Sequence, residues 1–422
     1  MALANYLSNY AEPHSQQFGD FPYSYDYACV VPCCEESEDF LLQNRQVFDE
    51  ASSLVIVVIN EATSEKTNTN NLALHKFIRT SYTDLWESKD ESLTLLNSGK
   101  QSHLLCVDAY TAGRQLPAQQ GVGLARKIGA DIACQLYYAG KIAKPWIFTT
   151  DADVVLPLDY FNATANVSQA AAFIFSYQHS RPSDPKQALA IDLYDYSLRY
   201  YTSALQWAGS PYAFQTVGST LAIHAEHYAK VRGFPKRSAG EDFYILNKLR
   251  KTGAIVSLNE PVIKVSARIS NRTPFGTGAA LSQIMELENP EHDYVFYHPK
   301  VFELLRQFLH ALPDIWQQAN PAISEAIENE KLLHVLQSLD IESGIQHAIT
   351  HSKTLEGFLK HMHDWFDAFR TLKLIHGLRD AYYPSINIME LRELDPEYIP
   401  DLPIRDESSE EFRDHRQQGS WR

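Results

Sequence analysis

Leu54-Val55-Ile56-Val57-Val58-Ile59 is an apolar run with no polar residue at either parity. A strand wetted on one face alternates apolar and polar side chains. A strand apolar at both parities is covered on both faces, as parallel strands between helical layers are. The same texture recurs on either side. Tyr27-Ala28-Cys29-Val30-Val31-Pro32 precedes it and reads as a buried strand stopped by proline, while His103–Val107, Trp146–Thr150 and Ala171–Ser176 follow. Helical spacing fills the intervals. Leu41, Leu42, Val47 and Phe48 share one face, and Leu72, Phe77 and Ile78 another. Over Gly121 to Tyr138, Leu124, Ile128, Ile132 and Leu136 align, with Gly140 as the stop. The polar stretch Asn60 to Asn71 predicts a loop. This alternation predicts an α/β fold with a mostly parallel sheet and right-handed crossovers.

From Met285 onward the periodicity is helical. Leu355, Phe358, Leu359, Met362, Trp365, Phe366, Phe369 and Leu372 form one apolar stripe, the pattern of a core-facing helix. Four segments follow: a loose N-terminal extension 1–26, an α/β domain 27–284, an all-helical C-terminal domain 285–405 and a charged tail 406–422. The helical domain offers a surface for a homo-oligomer.

Composition narrows the function classes. A formal net charge of -15 leaves no basic surplus for phosphate contacts, so nucleic acid is not expected as a partner. No apolar run reaches the length of a membrane span, and the polar start lacks the basic-then-apolar pattern of a secretion signal. The expected location is the cytoplasm. Five cysteines, an odd number with Cys33 and Cys34 adjacent, do not suggest a disulfide framework, and no CxxC pair suggests zinc. The sequons at Asn162 and Asn166 carry no weight in that compartment.

Three patterns carry chemistry. Asp151-Ala152-Asp153 directly follows an apolar strand, at the strand end where open parallel sheets place ligands. Two carboxylates one residue apart can share a hard divalent cation, and such a cation neutralises a departing diphosphate. The plainer reading is a capping or turn pair. Gly240-Glu241-Asp242 opens a helical stretch carrying Phe243, Leu246 and Leu249; its carboxylates either complement the helix dipole or supply a base. Gln120-Gly121-Val122-Gly123-Leu124-Ala125-Arg126-Lys127 places glycines and positive charge at a helix start, where an anion can approach the backbone. It is neither a Walker loop nor the dinucleotide fingerprint.

Together these stretches resemble family 2 glycosyltransferases. Val31-Pro32-Cys33-Cys34-Glu35-Glu36 resembles their Ile-Pro-Cys-Tyr-Asn-Glu opening, and Ala125-Arg126-Lys127-Ile128-Gly129 their Ala-Arg-Asn-x-Gly helix. Asp151-Ala152-Asp153 matches their metal motif. Gly218-Ser219, Arg232-Gly233-Phe234-Pro235 and Glu241-Asp242-Phe243-Tyr244 through Thr252-Gly253 resemble their acceptor-side block. The resemblance spans Tyr27 to Gly278. It implies a GT-A fold, a nucleotide-diphospho-sugar donor (a UDP- or GDP-sugar), an acceptor hydroxyl, Mg2+ or Mn2+, and an inverting hexosyl transfer. Carried over, Asp153 binds the metal and Asp151 the metal shell or ribose. Pro32, Glu36, Asn60, Gly121, Arg126, Lys127 and Ala152 lie along the nucleotide sugar. Asp242 is the base with Glu241 beside it, and Gly218 and Ser219 face the acceptor or diphosphate. Cys34 and Glu35 depart from the usual Tyr-Asn, and Lys127 from the usual Asn, so the donor's base stays open.

Arg268 and Arg272 lie in a Pro- and Gly-broken loop and can clamp a diphosphate or an anionic acceptor, or be solvated. His224-Ala225-Glu226-His227 lacks zincin order and reads as packing; His361 and His363 flank the aromatic stripe; His179 and His298 are candidate third metal ligands. A retaining GT-A transferase of the mannosylglycerate-synthase type and a non-catalytic sugar-nucleotide-binding module are the alternatives. A sugar-nucleotide pyrophosphorylase fits less, because the stretch after the first strand is acidic.

Overall fold

A computed structural model describes residues 2–63, 68–164, 170–270, 276–318 and 322–394. The chain divides into two compact units, Met1–Arg181 with Thr216–Ala279, and Pro182–Gln215 with Ala280–Arg422.

The first unit is a large mixed sheet flanked by helices. Its strands are β1 (Tyr27–Cys33), β2 (Ser53–Asn60), β3 (Thr83–Glu87), β4 (Leu93–Asn97), β5 (His103–Ala109), β6 (Trp146–Thr149), β7 (Val154–Val155), β8 (Ala170–His179), β9 (Leu221–His224) and β10 (Ala254–Val265), in the order β3-β4-β5-β2-β1-β6-β9-β8-β10-β7. β5, β2, β1 and β6 run parallel, and β2 is buried along its whole length. β9 runs antiparallel to both of its neighbours. Pro32 does not stop β1, which pairs with β2 through Cys33. The reason is alternation. The carbonyl of Val30 accepts from Thr150, so Val30 and Pro32 present their backbone groups toward β6, whose pairing with β1 ends at Val30. The N–H that Pro32 lacks has no ladder partner to miss.

Other expectations shift. The helix through Leu41 and Phe48 is two, Asp39–Gln43 and Arg45–Glu50, and Leu42 is 51% exposed. Between them the Asn44 side chain donates to the Val154 carbonyl at 2.8 Å and accepts from the Leu156 N–H at 2.7 Å, which competes with helix continuation. The stretch read as a loop to Asn71 ends earlier: the helix Thr69–Ser81 starts on an Asn68 cap, and Asn71 is buried within it. The helix Gly121–Tyr138 keeps its sequence limits, and Gly140 takes a φ of +72° just beyond. The N-terminal stretch read as a loose lead-in forms a helix, Ala2–Asn9, and a turn, Pro13–Gln16.

The second unit is helical: Pro185–Trp207, Lys300–Gln318, Glu330–Ser338, Ile341–His351, Leu355–Trp365, Ala368–Ala381 and Ile388–Glu393, with one two-stranded bridge, Val295–Phe296 against Ile386–Asn387. The aromatic stripe is not one helix. It breaks at Phe366, and Asp367 caps the next helix by accepting from the Phe369 and Arg370 N–H groups. Among the described residues no helix is long and apolar enough to cross a membrane. Asn166, Arg272 and the charged tail lie outside the described residues.

Candidate active site

β1, β2, β5 and β6 end along one edge of the sheet. The chain passes from β1 to β2 and β5 on one side of β1, then returns to β6 on the other. Such a reversal leaves a crevice at the carboxyl ends of the two central strands. Glu36 follows β1 there, and Asp151 follows β6.

The Asp151-Ala152-Asp153 turn is fixed by its backbone. Asp151 N–H donates to the Gly218 carbonyl at 2.9 Å, and the Asp153 carbonyl accepts from Ser266 N–H at 3.0 Å. Its side chains meet two arginines. Arg126, fully buried, donates from Nη2 to Asp151 Oδ1 at 2.5 Å, from Nε to Glu241 Oε1 at 3.0 Å and from Nη1 to the Thr150 carbonyl at 3.4 Å. The Phe234 ring lies 6.0 Å from its guanidinium carbon. Arg268 takes Glu36 in a fork, Nη1 to Oε2 at 2.8 Å and Nη2 to Oε1 at 2.5 Å, and places Nε 3.1 Å from Asp153 Oδ2.

Asp242 opens the helix Glu241–Arg250 after Gly240, whose φ of +70° favours glycine. Its Oδ2 accepts from Ser219 Oγ at 3.0 Å and its Oδ1 from Phe243 N–H at 2.7 Å. Ser219 has a φ of +44°, and Glu35, after β1, a φ of +60°. Non-glycine residues in this region are strained, and strain of this kind collects at functional sites.

The electrostatics follow from burial. Desolvation pushes the Glu241 carboxyl up to about 7, with Asp242 and Asp151 adding to the rise and Arg126 opposing it. Asp242 is also raised, first by desolvation, against the donors Phe243 N–H and Ser219 Oγ. Burial alone would lower Arg126; Asp151 and Glu241 outweigh it and hold the guanidinium protonated. The fork to Glu36 raises Arg268 in the same way. Glu36, Asp151, Asp153, Glu241 and Asp242 thus gather around Arg126 and Arg268, an acidic surplus among the described residues. No three His, Cys, Asp or Glu side chains among the described residues converge as a ready-made ligand set. Carboxylate oxygens are the donors that hard divalent cations take.

The structure brings together most of the residues singled out in the sequence, with altered roles for several. Arg126 bridges Asp151 and Glu241. The glycine-rich helix start packs on the chain itself: Gly123 N–H donates to the Arg237 carbonyl at 2.9 Å, and a Cβ at Gly123 would collide with the carbonyl oxygens of Pro235 and Arg237. Gly121 packs in the same way on Ser238. Lys127 points elsewhere, into a buried cluster with Asp131, Tyr6 and the Tyr10 carbonyl. Pro32 lies inside β1 and Asn60 ends β2; Asn60 Oδ1 is buried without a partner among the described residues. Gly218, with a φ of +62°, packs its Cα side against Val154. His179 bonds Thr277 at 3.0 Å; His298 belongs to the helical unit and accepts from Lys300 N–H. His224 caps the helix Ala225–Lys230, a packing role. Sequence reasoning assigned no part to Phe234 or to the Thr150 carbonyl, which complete the Arg126 socket; only the position of Phe234 within the acceptor-side block hinted at it. Compared with protein-family models and with curated proteins, the chain matches none.

Proposed function

We propose that this chain is a glycosyltransferase of family 2 type, moving a hexosyl group from a UDP- or GDP-sugar to an acceptor hydroxyl with inversion. One observation carries this reading: two acidic pairs from distant segments, Asp151 with Asp153 and Glu241 with Asp242, converge at the strand reversal of a parallel sheet through one buried arginine. The strand order β5-β2-β1-β6-β9-β8, with β9 alone reversed, supports a GT-A arrangement.

Asp151 and Asp153, with Glu36 nearby, would hold Mg2+ or Mn2+, which when bound offsets charge on a departing diphosphate. The protein's own part is positional. Arg126 fixes Asp151 relative to Glu241, and the Asp151-Ala152-Asp153 turn is held by Gly218 and Ser266. Arg268, on the rim, is placed to exchange its carboxylate partners for a diphosphate. Asp242 removes the acceptor's proton. Its raised affinity for protons makes it a better base than an ordinary aspartate, while Ser219 Oγ and Phe243 N–H hold the carboxylate in one orientation. Asn60 Oδ1 offers its unmatched acceptor to an N–H of the nucleobase.

A thermal-shift screen of nucleotide sugars with and without Mn2+ tests the donor class, because a ligand of the native state raises its apparent stability. Stabilisation by a UDP- or GDP-sugar that requires Mn2+ supports the proposal; no shift with any of them overturns it. Asp242→Asn should keep that shift and lose transfer, and the product anomer seen by NMR separates inversion from retention.

A further inference from the structure

We infer that the N-terminal segment Ala2–Gln16 is a positioning clamp for Arg126, Glu241 and Asp242, with Tyr6 as its central positioning residue. The inference rests on the function proposed above only for its kinetic arm.

The segment is anchored by a buried polar cluster that the proposed mechanism does not use. Tyr6 Oη donates to Asp131 Oδ1 at 2.5 Å and accepts from Lys127 Nζ at 2.6 Å. Lys127 Nζ also reaches Asp131 Oδ2 at 2.7 Å and the Tyr10 carbonyl at 3.0 Å, and Glu12 N–H donates to Asp131 Oδ2 at 2.7 Å. These contacts grip the helix Gly121–Tyr138. A second set grips the stretch from Tyr228 to Lys236. Tyr228 Oη donates to the same Asp131 Oδ1 at 2.7 Å, and its ring meets that of Tyr6 edge-on at 5.5 Å. The Arg232 guanidinium lies 4.5 Å above the Tyr10 ring, and Lys236 pairs with Glu12 at 2.6 Å. Gly233 admits the Tyr6 hydroxyl because any Cβ there would collide with it.

The two gripped elements are those that build the site. One carries Arg126, next in sequence to Lys127. The other runs on through Pro235–Ser238, which packs on Gly121 and Gly123, to Glu241 and Asp242. They meet again at Arg126 Nε and Glu241 Oε1, 3.0 Å apart. Held at Asp131 on one side, the pair cannot slide without breaking directional bonds among dehydrated groups. Apolar packing of the same volume could match such a cluster in stability but would not fix geometry as tightly. A misplacement of about 1 Å at a reacting centre costs on the order of a hundredfold in rate.

The test combines Tyr6→Phe, which keeps the ring and removes the hydroxyl, with Glu241→Gln. In thermal unfolding the double variant is expected to lose less than the sum of the two single losses, because the clamp's effect on Glu241 disappears with its carboxylate. If Tyr6→Phe does not fold, Lys236→Ala, which removes only the ion pair with Glu12 and leaves the Glu12 N–H on Asp131, takes its place in the cycle. In turnover of a nucleotide sugar, folded Tyr6→Phe should show kcat reduced on the order of ten- to a hundredfold with donor KM unchanged. Additive melting losses together with unchanged kcat would overturn the clamp while leaving the transferase proposal intact. Non-additive losses in a chain that turns over no nucleotide sugar would sustain the clamp and overturn the transferase.

Discussion

Arg126 and Lys127 are neighbours in sequence, both buried and both paired with carboxylates, yet they belong to different kinds of structure. Consecutive residues of a helix point about 100° apart, so the two cations enter separate clusters. Around Lys127 the groups balance: Asp131 receives Tyr6, Tyr228, Lys127 and the Glu12 N–H. Around Arg126 they do not: Asp151 and Glu241 share one guanidinium while Asp242 adds further negative charge. A balanced buried cluster has nothing left to recruit. A surplus of carboxylates at a strand reversal is a standing demand for a cation or a proton, and that is what separates site from scaffold here.

The largest effect should come from removing either cation. Arg126→Ala leaves Asp151 and Glu241 without their shared cation, and Lys127→Ala takes the cation from Asp131 while Tyr6, Tyr228 and the Glu12 N–H still donate to it; breaking a buried pair costs about 3–5 kcal/mol. Urea unfolding should report losses of this order for both. The contrast lies in rescue. Mn2+ should restore part of the loss in Arg126→Ala, where it can replace the lost positive charge beside Asp151, and none in Lys127→Ala. Equal rescue in the two would erase the distinction.

Next in size is the response to pH. Glu241 is raised from 4.5 to about 7 by burial. The folded protein therefore holds this proton longer than the unfolded chain does. Its stabilising share is complete below pH 4.5, declines as the unfolded chain ionises, and is gone once the pH has passed about 7. A divalent ion relieves the same repulsion, so Mn2+ should raise Tm more at pH 8 than at pH 5.5. Glu241→Gln should flatten the fall in unfolding free energy between these values, read by urea titration, by an amount on the order of 1–2 kcal/mol, less than the full shift because its neighbours share the charge. Asp131 is raised by burial as well, so Asp131→Asn changes the pH slope too. It should leave the Mn2+ increment and its pH dependence as in the unmodified chain. An Mn2+ increment independent of pH would count against the acidic surplus.

How much of this was legible in the sequence follows the range of the forces involved. β2 was readable because burial on both faces writes itself into every position from Leu54 to Ile59. β3 and β10, with mixed exposure, and β9, four residues long, carry no such mark. The aspartates after β6 were readable because strand and motif adjoin. The Lys127 environment was not: its partners Tyr6 and Tyr10 lie more than a hundred positions upstream, and nothing local distinguishes Lys127 from Arg126. For the same reason the N-terminal helix reads as a loose lead-in: its buried face is only Leu3, Tyr6 and Leu7, and the hydrogen bond that Tyr6 makes lies 125 positions away. The glycines at 121 and 123 announced a close approach correctly, but local sequence does not say whether a phosphate or the chain's own Pro235–Ser238 makes it.

The smallest predicted effect sharpens the comparison from the balanced side. Tyr228→Phe removes one of two phenol donors to Asp131 Oδ1 and leaves the other, from Tyr6, in place. A hydrogen bond to a charged group contributes about 1.5–3 kcal/mol, and because Asp131 keeps three other donors the loss should fall at the low end, near 1.5 kcal/mol. Asp242→Asn loses a carboxylate from the other cluster, yet it should change stability by less than about 0.5 kcal/mol or raise it, because it relieves repulsion in a group with too many acids. Parallel urea titrations of the two variants decide the matter. If Asp242→Asn proves the more destabilised, its carboxylate is a structural anchor of the helix Glu241–Arg250, and the surplus that marks this crevice as a site is smaller than the geometry implies.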